Sequence, residues 1–140
     1  MSVKSQVEQL LALQNFAVAG ASRDKSKPGF NVYVALKRAG KTVYPINPAA
    51  DNIDGDECYS SLDNIPGPID CLVTVTPPEQ TLVILQEAAH LRITNVWMQP
   101  GSESKAAVNL AHAWGMEVVY GGPCIWQTLE PQSEETASGG

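Results

Sequence analysis

Short apolar runs alternate with helical patterns along almost the whole chain, and this alternation limits the fold more than any other feature. The runs that we interpret as strands are residues 16–19, 42–46, 69–75, 95–98 and 117–120. Helical spacing of apolar residues is found at 3–13, 28–39, 78–91 and 103–114. Strands separated by helical crossovers pair in parallel. We therefore predict an α/β fold: a doubly wound, Rossmann-like parallel sheet of about five strands with helices on both faces.

Length and composition limit the class of protein. The 140 residues suit one domain, which we expect over residues 1–128, followed by a disordered polar tail at 129–140. The net charge of −6 argues against a nucleic-acid surface or an anionic membrane as partner. No long apolar stretch and no signal peptide are evident, which predicts a cytoplasmic protein. The three cysteines lack C-x-x-C spacing, so neither a metal site nor a disulfide framework is expected.

Small, polar or proline residues follow each predicted strand. In a doubly wound sheet these positions surround the ligand, because they lie at the carboxyl ends of the strands. The clusters are Gly20-Ala21-Ser22, Asn47-Pro48, Thr76-Pro77, Gln99-Pro100-Gly101 and Gly121-Gly122-Pro123-Cys124. None contains an obvious catalytic base, and we identify no catalytic residues. The pattern favours binding over catalysis, although it leaves an enzyme possible.

The loop after the first strand is suited to a phosphate. Gly20-Ala21-Ser22 is followed by three cations, Arg23, Lys25 and Lys27, and Pro28 then begins a helix. A tight loop before a helix presents backbone N–H groups and the positive end of the helix dipole to an anion. The cations are concentrated here although the chain as a whole is acidic. We therefore predict a nucleotide-binding loop, with an ordinary solvated turn as the alternative.

Three features count against NAD and ATP. The dinucleotide motif G-x-G-x-x-G, begun at Gly20, would need glycines where the chain has Ser22 and Lys25. The acidic residue that usually binds the ribose of NAD after the second strand is missing from residues 44–48, and Asp51 follows a few residues late. The G-x-x-x-x-G-K-[ST] loop of ATPases is also absent.

Several motifs together resemble a known family. They are Val18-Ala19-Gly20-Ala21-Ser22, Tyr44-Pro45-Ile46-Asn47-Pro48, Tyr59-Ser60-Ser61-Leu62, Ile69-Asp70, Pro77-Pro78-Glu79 and Val96-Trp97-Met98-Gln99-Pro100-Gly101. In this order and spacing the chain resembles, over residues 8–126, the small single-domain CoA-binding proteins. That family is similar to the N-terminal domain of the succinyl-CoA synthetase α-subunit. The resemblance implies a Rossmann-like fold with coenzyme A, or an acyl-CoA, as the ligand.

The resemblance also implies which residues contact the ligand. By position, the pyrophosphate would lie at Gly20, Ala21, Ser22 and Arg23, with Lys27 at a phosphate. Asn47 and Pro48 would line the nucleotide portion, and Val75, Thr76 and Pro77 the wall near the adenine. Trp97, Met98, Gln99 and Gly101 would flank the pantetheine arm, although a tryptophan at the end of a strand, as Trp97 is, is more often a core aromatic. The family often has a basic residue after V-N-P, where this chain has Ala49-Ala50.

Other functions stay open from the sequence. One is an NAD(H)-binding enzyme or redox sensor on the same fold, which the missing acidic residue disfavours. Another is a CoA-binding subunit that completes an acyl-CoA synthetase with a separate chain. Both a homo-oligomer and a complex with a partner subunit are compatible with the sequence. His90 and His112 fall on predicted helices, away from the strand ends, and are not expected to be catalytic.

Overall fold

A computed structural model of the protein describes residues 2–130, and its centre is a sheet of five parallel strands. The strands in chain order are β1 (Asn15–Ala19), β2 (Thr42–Ile46), β3 (Asn52–Ile53), β4 (Asp56–Glu57), β5 (Cys71–Thr74), β6 (Asn95–Met98) and β7 (Glu117–Val119). The central sheet has the order β2-β1-β5-β6-β7, and β3 and β4 form a separate antiparallel hairpin. The predicted α/β fold with a five-stranded parallel sheet is confirmed.

In the described part of the chain, five helices flank this sheet: α1 (Val3–Leu11), α2 (Pro28–Arg38), α3 (Pro78–His90), α4 (Lys105–Ala113) and α5 (Ile125–Leu129). Residues at the helix N-termini explain where four of these helices begin. Ser2 and Ser104 cap α1 and α4, because each hydroxyl accepts a hydrogen bond from the backbone N–H three residues later, at 3.1 Å. Pro28 and Pro78 are the first residues of α2 and α3, where proline's missing N–H costs nothing.

Side chains of β1 alternate between two core layers. Phe16 and Val18 lie in one apolar cluster with residues of α1, α2 and α5. Ala17 and Ala19 lie in the other, with residues of α3 and α4. All four side chains are at most 1% exposed, as expected for a central parallel strand that is buried on both faces. The helices therefore cover both faces of the sheet.

The structure differs from the sequence prediction in three short segments. No strand is predicted in the connection 49–68, but it contains the β3–β4 hairpin, whose two-residue strands are too short to leave a periodic pattern. Helix α5 was not predicted, since it has only five residues. Trp114, the last residue of the helical pattern at 103–114, follows the end of α4 and is 43% exposed. Gly115, with φ +77°, turns the chain away immediately afterwards.

The described part of the chain ends just after α5, whose last residue is Leu129. Of the tail predicted at 129–140, residues 131–140 lie outside the described residues, so that prediction stays a prediction. Within residues 2–130, no helix has both the length and the apolar character needed to cross a bilayer.

Helix α3 offers a test of how its buried face stabilises the fold. Leu85 is completely buried and Val83 is 58% exposed. We expect Leu85→Ala to lower the free energy of unfolding by about 2–5 kcal/mol, because it leaves a cavity between the helix and the sheet. Val83→Ala, the control on the same helix, should change it by no more than about 0.5 kcal/mol. Urea unfolding of both variants measures this, and equal losses would contradict the packing described.

Candidate functional site

A cleft opens at the carboxyl ends of β1, β2 and β5, where the strand order reverses. The chain passes from β1 to β2 on one side and reaches β5 on the other side of β1. Such a reversal separates the loops that follow the two strands and leaves a crevice between them. The cleft has a volume of about 620 Å³. Its lining residues are Ala19, Gly20, Ala21, Ser22, Lys27, Ile46, Asn47, Pro48, Ser60, Ser61, Val75, Thr76, Pro77, Gln80, Val83, Ile84 and Glu87.

Two glycines hold the first loop of the cleft close to its neighbours. Gly20 has φ +89°, and a Cβ there would lie 2.6 Å from the backbone oxygen of Val75 at the end of β5. Gly29, in the first turn of α2, faces the same loop, and a Cβ there would collide with the backbone oxygen of Gly20. The backbones of β1, β5 and α2 therefore meet without side chains between them.

This loop leaves backbone donors free at the cleft. The N–H groups of Ala21 and Ser22 donate no hydrogen bond to any described residue. Lys27 is the N-cap of the 11-residue helix α2, and no side chain within residues 2–130 caps the helix. Unpaired N–H groups at a helix N-terminus attract anions, because their partial positive charges add to the helix dipole. This end of the cleft therefore has the electrostatic character of a phosphate site.

The three cations of the loop lie in different places. Lys27 lines the cleft, and Arg23 lines a shallower groove beside it, which also includes Ser22 and Asn47. Lys25 faces another groove, along the outer side of α2. None of the three forms an ion pair with a residue in the described range. The carboxylate between them, Asp24, accepts hydrogen bonds from the side chain and backbone of Ser26, which lower its pKa.

Asn47 fixes the loop to the end of β2. Its Nδ2 donates to the backbone oxygen of Ala21 at 2.9 Å, and its Oδ1 accepts from the N–H of Ala49 at 2.8 Å. Both ends of this amide are therefore bonded to protein, although the residue lines the cleft as predicted. Its role here is to position the backbone of Ala21.

A charged cluster holds the β3–β4 hairpin against α2. Lys37 of α2 pairs with Asp54 at 2.9 Å and with Asp56, which also accepts a hydrogen bond from the buried Tyr33 hydroxyl. The hydrogen bonds from Lys37 and Tyr33 lower the pKa of Asp56. Burial, and then Asp56, raise the pKa of Tyr33. The hairpin leads directly into Ser60 and Ser61, which line the cleft.

One face of α3 forms a wall that the sequence reasoning missed. Gln80, Val83, Ile84 and Glu87 line the cleft at the helical spacing i, i+3, i+4, i+7. The Oε1 atom of Glu87 is buried and has no hydrogen-bond partner among the described residues. Helical periodicity could have found this stripe, but it does not distinguish a face that lines a cleft from one that packs in the core.

Nine of the fourteen predicted contact residues line the cleft, namely Gly20, Ala21, Ser22, Lys27, Asn47, Pro48, Val75, Thr76 and Pro77. Arg23 lies in the adjoining groove.

The structure does not bring Trp97, Met98, Gln99 and Gly101 to the cleft wall. Trp97 and Met98 are fully buried in opposite core layers, and the indole N–H of Trp97 donates to the Pro123 oxygen at 2.9 Å. Gln99 accepts from the N–H of Ile125 at 2.9 Å, and Gly101 is an exposed turn residue. Side chains of β6 point alternately to the two faces of the sheet, and β6 lies away from the point where the strand order reverses. Both facts explain why these residues do not line the cleft. Their contact with a pantetheine arm stays a prediction.

Comparisons with known proteins agree with this geometry. A family model described as "CoA binding domain" matches residues 14–128. The chain is 33% identical over 123 residues to the acetate–CoA ligase (ADP-forming) II subunit alpha of Pyrococcus furiosus, a match that covers 80% of this chain and 27% of that protein. The chain thus spans about a quarter of the length of this relative, and 10–12% of three further acetate–CoA ligases from archaea that it matches.

Solved structures also superpose on this chain. A conserved hypothetical protein from Pyrococcus furiosus superposes with a TM-score of 0.78 at 33% identity, over 83% of this chain and 99% of that one. The dinucleotide-forming acetyl-coenzyme A synthetase 1 of Ca. Korarchaeum cryptofilum, in complex with phosphate and ADP, superposes with a TM-score of 0.70 at 30% identity. That match covers 83% of this chain and 27% of that one.

The contact between Gly29 and Gly20 can be tested by adding one methyl group. In an open helix, Gly→Ala would stabilise the protein by about 0.5–1 kcal/mol. For Gly29→Ala we expect the opposite sign, a loss of about 1–3 kcal/mol, because the Cβ must displace the loop backbone. Urea unfolding gives the sign directly, and a stabilised variant would show that the loop moves aside freely.

The hairpin cluster predicts a pH-dependent stability. Because the pKa of Asp56 is lowered in the folded state, its contribution is present above the ordinary value of 3.8 and is lost as the pH falls through the folded value. We therefore expect Asp56→Asn to be less stable than the wild type at neutral pH, and the difference to vanish in acid.

Thermal unfolding from neutral to acid pH measures this difference. Glu57→Gln is the control, since Glu57 is exposed and makes no ion pair with a described residue. A constant difference for Asp56→Asn across the pH range would rule out the ion-pair explanation.

Proposed function

This chain belongs to the CoA-binding domain family, and from that premise we propose that it binds coenzyme A or an acyl-CoA in the cleft at the ends of β1, β2 and β5. The observation that supports this most is the coincidence of free backbone N–H groups, a helix N-terminus and Lys27 at one end of a nucleotide-sized cleft. The cleft volume of about 620 Å³ is in the range of small-molecule sites.

The phosphates of the ligand would lie at the loop that follows β1. Ala21 and Ser22 offer backbone N–H donors there, and Lys27 adds a positive charge within the cleft. Arg23, in the adjoining groove, could reach a further phosphate of a ligand that has several. The loop is positively charged although the chain as a whole is acidic, so the loop would favour an anionic ligand at this position.

The adenosine part would lie against the apolar walls of the cleft. Val75 and Pro77 form one wall after β5, and Ile46 lies at the end of β2. Val83 and Ile84 of α3 extend this apolar surface. A flat base is bound mainly by such apolar contact, with a few polar groups that fix its orientation.

The proposal is for binding without catalysis by this chain. Of the side chains that line the cleft, the polar ones are Lys27, Glu87, the amides Asn47 and Gln80, and hydroxyl groups. Within residues 2–130, none of these hydroxyls is hydrogen-bonded to a His, Asp or Glu side chain that could act as its base. Within the described residues, no group of three or more His, Cys, Asp or Glu side chains could hold a metal ion.

A second candidate is a CoA-binding subunit of an acyl-CoA synthetase. It is favoured by the 33% identity with a ligase subunit alpha, whose remaining length this chain does not match. In that case the chain would bind the nucleotide and a separate chain would supply the groups for ligation. Size-exclusion chromatography of the endogenous protein distinguishes the candidates, since a stable complex with a ligase chain would favour this one.

Isothermal titration with CoA tests the primary proposal. We expect Lys27→Ala and Arg23→Ala each to weaken CoA binding by about tenfold or more, because a hydrogen bond to a charged group contributes roughly 1.5–3 kcal/mol. Lys105→Ala is the matched control, since Lys105 is an exposed lysine at the start of α4 and does not line the cleft.

Two results would overturn the proposal. One is the absence of binding at millimolar CoA. The other is tighter binding of NADH than of CoA, which would instead support the dinucleotide alternative. Equal CoA affinity in the wild type, Lys27→Ala and Lys105→Ala would mean that the charge of the loop is incidental to binding.

A further inference from the structure

Arg23 lines a groove that continues directly from the cleft. The groove has a volume of about 380 Å³, and Ser22 and Asn47 line both the groove and the cleft. Arg23 lines the groove and not the cleft, whereas Lys27 lines the cleft and not the groove. The two cations of the loop are therefore available to two different parts of one ligand.

The guanidinium group of Arg23 can be reached by a ligand. The residue is exposed, and its side chain forms no ion pair within residues 2–130. The backbone around it is fixed, because the Ser22 hydroxyl accepts a hydrogen bond from the Asp24 N–H at 3.0 Å. The Asp24 backbone oxygen in turn accepts from the N–H of Lys27 at 3.0 Å. The arginine side chain thus extends into the groove from a hydrogen-bonded turn.

The other walls of the groove are small side chains and one carboxylate. Ala49 and Ala50, which follow β2, leave the groove open on the side that faces Arg23. Asp24 also lines the groove and would repel a phosphate, but its Oδ1 accepts hydrogen bonds from the N–H of Ser26 at 2.9 Å and from its hydroxyl at 2.6 Å. Of the described residues that line the groove, Arg23 alone is cationic. An anion in the groove would therefore be bound by this side chain.

Coenzyme A carries two kinds of phosphate. Its pyrophosphate joins the ribose to the pantetheine arm, and each of the two phosphorus atoms there carries one negative charge. Its 3′-phosphate is a monoester on the ribose, with three terminal oxygens and a charge of about −1.5 to −2 at pH 7. The planar fork of an arginine donates two parallel hydrogen bonds to such a group, whereas a lysine acts as a point charge. The monoester is thus the phosphate that best matches Arg23.

We propose that the groove of Arg23 is the subsite for the 3′-phosphate, and that Arg23 makes the protein select CoA over 3′-dephospho-CoA. This inference rests on the proposed binding of CoA in the cleft. The ribose joins the base, which lies against the apolar walls, to the pyrophosphate at the loop after β1. A substituent of the ribose therefore lies beside this stretch, where Ser22 and Asn47 border the groove.

A double-mutant cycle between protein and ligand tests the subsite. The ligands are CoA and 3′-dephospho-CoA, which differ by the one phosphate. The proteins are the wild type, Arg23→Ala, Lys27→Ala and Lys25→Ala. Lys25→Ala is the matched control, because Lys25 is an exposed cation of the same loop that faces the outer side of α2. Its removal lowers the charge of the loop by the same amount. Isothermal titration gives the eight affinities.

We expect the wild type and Lys25→Ala to bind CoA about tenfold more tightly than 3′-dephospho-CoA. Arg23→Ala should bind the two ligands about equally, with the affinity of the wild type for 3′-dephospho-CoA. Lys27→Ala should weaken the binding of both ligands by a similar factor and keep the preference, because Lys27 lies in the cleft with the pyrophosphate. Melting temperatures verify that the variants are folded.

The outcomes separate this inference from the proposal on which it depends. Tight CoA binding by the wild type without preference over 3′-dephospho-CoA would overturn the subsite and leave CoA binding intact. A preference that Arg23→Ala keeps and Lys27→Ala loses would place the 3′-phosphate in the cleft instead. An equal loss of preference in Arg23→Ala and Lys25→Ala would contradict a direct contact, because the overall charge of the loop would then explain it. Failure of the wild type to bind either ligand at millimolar concentration would overturn both proposals.

Discussion

The close approach of three backbones at Gly20 is the constraint on which the cleft depends. The loop after β1 touches the end of β5 on one side and the start of α2 on the other, with no room for a Cβ at Gly20 or Gly29. The amide of Asn47 then ties the same loop to β2. Three strands and one helix are thereby fixed around the free N–H groups of Ala21 and Ser22. An anion site needs this rigidity, since preorganised donors lose little entropy on binding.

The doubly wound topology also determines how charge is arranged. Because α2 and α3 lie on opposite faces of the sheet, a side chain at the start of α2 and one well along α3 reach the cleft from opposite sides. Lys27 and Glu87 occupy these two positions. The nucleotide of the proposed ligand is asymmetric as well, with phosphates at one end and a neutral base at the other. The sheet therefore supplies orientation before any individual contact is considered.

Sequence reasoning succeeded where function depends on position along a strand. Gly20, Ser22 and Pro48 could be placed at the cleft because each follows an apolar run, and runs in parallel strands end at one edge of the sheet. It failed for Glu87, since a helix face that lines a cleft and one that packs in the core have the same period. It also left Trp97 open between the ligand and the core, and the structure buries its side chain in the core, because a motif match does not reveal which face a residue takes.

The cleft is formed by a continuous part of the chain, since its lining residues run from Ala19 to Glu87. The strands that follow extend the same edge of the sheet, where Glu103 accepts hydrogen bonds from the N–H groups of Gly101, at 2.7 Å, and Gly121, at 3.2 Å. This carboxylate holds the loops after β6 and β7 together beside the cleft. A ligand no larger than a nucleotide would not need these loops, but CoA has a long arm beyond its phosphates. In the proposed binding of CoA, the edge formed by β6 and β7 lies next to the cleft, beyond β5, and is open to such an arm.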